Sequence, residues 1–257
     1  MRVLDEEKKY DLDKVIKAGY DTRLAAFEVL VPALINVYQT KALSSDTVYA
    51  HLKEVINILK NWDYRCSENS VAATLAVTWG EKLFPFINKI KGIDDQVEKI
   101  KYFAANANIG NMVEPMLATI KELQHNFSNW QTPWGEINRF QRISNDIEYK
   151  FDDSQPSMPV GFTSSVWGML PSYSSKTFPD TKKRYGFNGN SFICAVEFGK
   201  KIKARSLLAG GESGDPNSKH FFDQGQMCST GQFKEVMFYK EDVLKHAERK
   251  YHPREKN

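Results

Sequence analysis

The period of the apolar residues changes part-way along the chain, and that change restricts the fold more than any single residue does. Over the first half, hydrophobic positions recur at the spacing of a buried helix face. One run is Leu24, Phe27, Val31, Leu34, Ile35 and Tyr38, the next Val48, Leu52, Val55, Ile56 and Leu59, and a third Ala72, Leu75, Ala76, Trp79 and Leu83. Pro32 lies inside the first run and predicts a kink or a split there. Ser44, Ser45 and Asp46 form a capping cluster ahead of the second run, and Ser67 is placed to cap the third. Further helical runs cover residues 94–104 and 110–124. From residue 191 the period is that of a strand with one buried face, Phe192, Cys194, Val196 and Phe198 alternating with Ile193, Ala195 and Glu197. Residues 204–209 and 234–239 are further strand candidates, and 241–249 reads as a short helix.

Between these parts, residues 127–190 are rich in Ser, Pro, Asn, Gly and aromatics and have few periodic runs. They read as long loops carrying short strands, a kind of segment that is either functional or wrapped around a core. The expected organisation is therefore a helical region at 1–126, a loop-rich region with short strands at 127–189, and terminal strands with a short helix at 190–257. Elements segregated in this way predict an α+β fold rather than an alternating one. The terminal strands are few and short, and read as the edge of a larger sheet.

Composition removes several partner classes. The net charge is only +3, and no dense Lys/Arg stripe predicts binding to nucleic acid or to an anionic membrane. The longest apolar stretch, near residues 29–37, is too short to cross a bilayer. The first residues lack the apolar core of a signal peptide. Cys66, Cys194 and Cys228 are far apart, odd in number and without metal-ligand spacing. They are expected to be free thiols, with pairing of two of them open in an oxidising compartment. No phosphate-binding, dinucleotide, zinc-protease or calcium-loop string occurs, and no cofactor or metal is expected.

The most unusual segment is 210–224, Gly-Gly-Glu-Ser-Gly-Asp-Pro-Asn-Ser-Lys-His-Phe-Phe-Asp-Gln. Its glycines permit positive φ or close backbone approach. Ser213, Asp215, Asn217 and Ser218 suit side-chain bonds to neighbouring backbone that hold a compact loop. Three readings apply. Ser213, His220 and Asp223 are the residue types of a nucleophilic triad, but the string is not Gly-x-Ser-x-Gly and triad members rarely sit so close in sequence. Asp215, His220 and Asp223 could ligate a metal, but no further His or Cys is near. The third reading is a structural loop in which His220 and Asp223 brace backbone. Elsewhere, Trp62-Asp63 reads as a core aromatic that begins a turn, and Thr132-Pro133-Trp134-Gly135 as a turn with an aromatic anchor. Phe162, Trp167, Tyr173, Phe178, Tyr185, Phe187 and Phe192 are core anchors or the lining of an apolar pocket.

The order of these features resembles the penicillin acylase family, which includes acyl-homoserine-lactone acylases. The resemblance rests on Asp21 followed by Pro32-Ala33-Leu34, on Leu59-x-x-Trp62-Asp63, on Ser70-x-Ala72-Ala73 with Trp79, and on Thr132-x-Trp134-Gly135. It continues through Gly189-x-Ser191-Phe192 to the specific string Gly210-Gly211-x-Ser213-Gly214-Asp215-Pro216-x-Ser218-x-His220-x-x-Asp223-Gln224. It implies an N-terminal-nucleophile hydrolase with an αββα sandwich, of which this chain would be the C-terminal part of the large subunit. It implies an N-terminal serine as nucleophile, its own α-amino group as base, an oxyanion hole that includes an Asn, and amide cleavage through an acyl-enzyme. Those groups belong upstream of the matched region, and Met1 is not a Ser, Thr or Cys nucleophile, so no catalytic residue is assigned within 1–257. The residues expected near the active site or bracing its loops are Asn190, Ser191, Gly211, Ser213, Asp215, His220 and Asp223. In some relatives a carboxylate just before the strand at 191 pairs with an active-site His; this chain has Asn188 and Asn190 there. The implied partners are the upstream part of the large subunit, the small subunit and a small acyl-amide substrate. The implied location is periplasmic or secreted. A non-catalytic binding or scaffolding domain derived from the same fold is the competing reading.

Overall fold

The computed structural model describes residues 2–5, 9–40, 47–144, 150–250 and 252. Helices α1 (Arg2–Asp5), α2 (Leu12–Gly19), α3 (Phe27–Gln39), α4 (Thr47–Lys60), α5 (Val71–Ile87), α6 (Gln96–Ala105) and α7 (Glu114–Phe127) come first. The short α8 (Trp134–Ile137) leads into β1 (Asn138–Phe140) and β2 (Met158–Pro159), followed by β3 (Tyr173–Lys176) and β4 (Arg184–Gly189). The chain ends with β5 (Phe192–Glu197), β6 (Lys203–Leu208), α9 (Gly225–Thr230), β7 (Lys234–Glu235) and α10 (Lys240–Lys245). Helices and strands are segregated along the sequence, an α+β arrangement.

The core is formed by α3–α7. Leu30, Val31 and Leu34 of α3, Leu52, Val55 and Leu59 of α4, and Leu75, Ala76, Trp79 and Leu83 of α5 are buried in one cluster. The periodic faces read from the sequence therefore become core, with some differences at their ends. Leu24 is buried but precedes α3, its N–H bonded to the Tyr64 carbonyl at 2.8 Å. Helix α3 runs unsplit through Pro32. The proline lies in the second turn, so the bond it removes is close to the helix start, and buried neighbours hold the helix on either side. Helix α5 is capped not by Ser67 but by Ser70, whose hydroxyl accepts the Ala73 N–H at 3.0 Å. Ser44, Ser45 and Asp46, and the side chain of Val48, lie outside the described residues.

One turn of π-helix, Ile109–Val113, joins directly onto α7. Asn108 and Asn111 close it with a reciprocal capping box at 2.7 and 3.1 Å. The indole N–H of the fully buried Trp79 donates to the Met112 carbonyl within this turn at 3.0 Å. A wide turn frees carbonyls from the regular ladder, and a buried carbonyl needs a donor; Trp79 supplies one from α5.

The segment expected to be loops with short strands forms a four-stranded mixed sheet in the order β2-β1-β4-β3, with β1 parallel to β4. A bidentate pair holds it to the helices: Arg184 of β4 donates to both carboxylate oxygens of Glu81 at 2.8 and 2.5 Å and to the Ser175 carbonyl at 2.7 Å. The Trp134 N–H and Gly135 N–H donate to the Ser70 and Glu68 carbonyls, and the Trp134 indole to the Phe162 carbonyl at 3.0 Å. Asp21, Trp62 and Asp63 organise the turn that follows α4. Asp21 accepts from Arg65 Nη1 at 2.9 Å, the Trp62 indole donates to the Arg65 carbonyl, and Asp63 accepts the Arg65 N–H in a local turn.

The terminal sheet has the order β5-β6-β7 and is antiparallel throughout. Strand β7 is shorter than the sequence predicts, and β5 is an edge strand among the described residues. The alternation in β5 is real, but the aromatic series points outward: Phe192 is 60% exposed, Val196 41% and Phe198 84%. The other face, Ile193, Ala195 and Glu197, is half-buried because α2 packs there. Glu197 accepts the Leu12 N–H at 3.3 Å, and Arg205 of β6 pairs with Asp13 of α2 at 2.5 Å.

Trp79→Phe keeps most of the ring but leaves the Met112 carbonyl without its donor. We expect a loss of about 1–3 kcal/mol in urea-unfolding free energy, with amide exchange rising first in residues 109–116. An unchanged midpoint would show that water satisfies that carbonyl.

Candidate functional site

The two groups of residues singled out in the sequence lie at the same end of the terminal sheet. Phe192 pairs with Leu208, and the Ala209 N–H donates to the Ser191 carbonyl at 2.8 Å. Asn190 and Ser191 thus stand just before β5, directly opposite the point where β6 enters the 210–224 loop. Asn190 joins this end to the four-stranded sheet. Its Oδ1 accepts the Ser172 N–H at 2.8 Å, and its own N–H donates to the Ser172 carbonyl at 3.1 Å.

A cavity of about 260 Å³ opens beside this junction. Tyr20, Phe140, Phe162, Tyr173, Phe187, Ile193, Ala209 and Cys228 give it apolar walls, and Ser172, Asn188, Asn190 and Ser191 a polar rim. No lining residue carries a formal charge at neutral pH. Burial keeps its three weak acids protonated: it raises the phenols of Tyr20 and Tyr173 well above their usual range and pushes the Cys228 thiol up to about 11. Gly186 is required by close approach, since a side-chain carbon there would lie 2.4 Å from the Tyr173 ring. Tyr173 binds across the sheet, donating to the Arg139 carbonyl at 2.7 Å and accepting the Gly186 N–H at 3.0 Å.

The 210–224 loop is held by bonds that come mostly from within it. Ser213 Oγ accepts the Asp215 N–H at 3.1 Å, Asp215 accepts from Asn217 N at 2.9 Å, and Ser218 Oγ accepts the His220 N–H at 3.1 Å. His220 Nδ1 and Asp223 Oδ2 are 2.7 Å apart. Ser213 and His220 meet through backbone, Ser213 N–H to the His220 carbonyl at 3.1 Å, while the Ser213 hydroxyl serves Asp215 and the His220 ring turns to Asp223. That is the geometry of a folded loop rather than of a nucleophile with its base. No cluster of three metal-ligating side chains occurs among the described residues, Asp215, His220 and Asp223 included. Gly211 fits only without a side chain: a methyl there would lie 2.2 Å from the His220 carbonyl oxygen. Gln224 closes the loop, its N–H donating to the Gly210 carbonyl at 2.8 Å and its buried side chain spanning the Leu208 N–H and the Glu212 carboxylate. Lys234 reaches the same carboxylate.

Three participants were not singled out in the sequence. Tyr20 and Phe140 come to the cavity from distant elements. Arg142 donates to the Gly211 and Ser213 carbonyls. Cys66 is buried, Cys194 exposed and Cys228 half-buried, and none is paired.

A family model described as penicillin amidase matches residues 1–245. The chain belongs to the penicillin amidase family. Among solved structures, a thermostable penicillin G acylase from Alcaligenes faecalis is similar over 98% of this chain and 51% of its own, with a TM-score of 0.47 and 13% identity. The chain spans about half the length of that acylase. Penicillin amidases are hydrolases. No described helix is long and apolar enough to cross a membrane.

Two outcomes test the loop. Gly211→Ala drives a methyl into a backbone carbonyl and should cost about 1–3 kcal/mol or more, whereas Gly214→Ala, with open space around it, should cost almost nothing; equal thermal midpoints would contradict the packing. The second is a pH dependence. Lys234 and Gln224 hold the Glu212 carboxyl below its usual range, and His220 does the same for Asp223. Depressed carboxyls contribute stability that is complete above their unfolded values and is lost as pH falls through the folded ones. Amide protection of residues 210–224 should therefore hold from neutral pH down to the ordinary carboxylate range and fall below it. Both carboxyls are largely exposed, so the effect is small and weakens with salt.

Proposed function

We propose that this chain is the C-terminal part of the large subunit of a penicillin-amidase-type acylase, which cleaves an acyl group from an amide. The observation that carries the reading is the family match over residues 1–245. In this reading the chemistry runs through an acyl-enzyme on an N-terminal serine outside the chain, with the oxyanion-hole Asn also upstream. The chain contributes the helical region, the terminal strands and the loop that braces the active-site end of the sheet. Asn190, Ser191, Gly211, Ser213, Asp215, His220 and Asp223 lie at that end and shape it rather than react. The neutral, apolar cavity beside them suits one wall of the region that receives the acyl group.

The surface supports the implied partners. A sheet whose outward face carries Phe192 and Val196, with Phe198 just beyond it, and whose first strand is an edge among the described residues, is the kind of surface that a second layer covers. In the proposal that layer is the upstream part of the same precursor, with the small subunit completing the enzyme. Export to the periplasm or the medium goes with this reading.

Intact mass of the natural protein, together with hydrolysis of chromogenic phenylacetyl and long-chain acyl amides, tests it. We expect a processed precursor longer than this chain, activity in the whole protein, none from residues 1–257 by themselves, and no loss of activity on Ser213→Ala. Activity from this chain alone that Ser213→Ala abolishes would overturn the proposal in favour of an enzyme using Ser213 and His220. A whole protein that binds but hydrolyses none of these amides would favour the binding-domain reading.

A further inference from the structure

One long side chain grips the 210–224 loop from the other sheet. Arg142 follows β1 and donates Nη1 to the Gly211 carbonyl at 3.0 Å and Nη2 to the Ser213 carbonyl at 3.1 Å. Its guanidinium carbon stands 4.4 Å from the centre of the Phe221 ring. Phe140, on β1 itself, meets Phe222 edge to face at 4.9 Å. Gly210 has a positive φ of 102°, and a methyl there would lie 2.5 Å from Arg142 Nη1. A planar, permanently charged fork can bind two carbonyls and lie on an aromatic face at once; an ammonium group cannot.

The position of this grip matters because the loop begins and ends at the cavity. Ala209, just before it, and Cys228 of α9, just after it, are walls of the cavity, and Phe140 is a third. The other bonds that close the loop, from Gln224 and Lys234, tie it to its own sheet. Arg142 ties it to the four-stranded sheet, which supplies the facing walls Tyr173 and Phe187. Asn190 already ties the start of β5 to Ser172; on the side of the loop, the separation of the two sets of walls depends on where Arg142 holds it.

We propose that Arg142 is a positioning residue that fixes the 210–224 loop across the two sheets and so sets the width of the apolar cavity. Its bearing on catalysis rests on the reading of that cavity as a wall of the acyl-binding region. Its bearing on structure does not, and a thiol reports it directly. Cys228 lines the cavity, while the buried Cys66 sits in the helical core and reports global opening.

The test is the rate at which N-ethylmaleimide modifies Cys228, read by mass spectrometry on the full protein with Cys194→Ser to remove the exposed thiol. Arg142→Lys keeps the charge and loses the fork. It should speed Cys228 modification about tenfold, leave Cys66 unmodified, and raise KM for an apolar-acyl anilide more than it lowers kcat. Phe221→Leu, which removes only the aromatic face, should give a smaller acceleration in the same direction. Should the Lys variant expose Cys66 as well, the Leu variant decides. Unchanged Cys228 rates in the folded variants would overturn the proposal, whereas faster modification in an active protein with KM and kcat both unaltered would support the clamp and overturn its bearing on catalysis. A wild-type protein that hydrolyses no amide would count against the acyl reading alone, and the labelling rates would still decide on the clamp.

Discussion

The indole of Trp167 lies where the side chain of residue 80 would otherwise be, and much of the molecule depends on that fit. A methyl on Gly80 would come within 2.7 Å of the Trp167 ring and 3.0 Å of Phe27. With glycine there, Trp167 packs on Phe27 at 4.9 Å and stacks on Phe84 at 5.0 Å, and its carbonyl accepts the Ala26 N–H at 3.1 Å. An aromatic ring of this size buries enough surface to fix an otherwise irregular segment. That segment carries Phe162 at one end and Pro171, Ser172 and Tyr173 at the other, all of which line the cavity. A contact inside the helical core therefore fixes one side of the candidate site, and Arg184 with Glu81 fixes the sheet beneath it.

The helices were legible because burial on one side of a regular coil leaves a period that neighbours cannot disguise. Leu52, Val55 and Leu59, or Leu75, Trp79 and Leu83, needed no partner to be recognised as a face. Strand β4 was not legible. Its sequence, Arg-Tyr-Gly-Phe-Asn-Gly, has no clean alternation. It is a strand because β1 and β3 pair with it, and because Gly186 admits the Tyr173 ring. The outward direction of Phe192 and Val196 was equally hidden, since alternation shows that a strand has two faces and not which of them a helix will cover.

The candidate site divides along the same line. Asn190, Ser191 and the glycine-rich string stood out because each is unusual in its own neighbourhood. Arg142 did not, because its acceptors are backbone carbonyls 69 and 71 residues further along the chain, and any residue has a carbonyl to offer. Tyr20 and Phe140 were likewise ordinary aromatics until the fold brought them to one cavity. Local chemistry marks a loop that folds on itself; it does not mark the distant side chain that holds the loop in place.

Helix α2 packs on the terminal sheet, and its two polar anchors reach across far more than half of the chain. Leu12 meets Glu197 across a sequence separation of 185, and Asp13 meets Arg205 across 192. Contacts this remote in sequence carry a high loop-closure cost and form late. During synthesis the helix would leave the ribosome long before its sheet exists, and the α3–α7 core, built from neighbours in sequence, can assemble in the interval. Helix α2 is thus the last piece of the helical half to find its place, although it is made before the α3–α7 core.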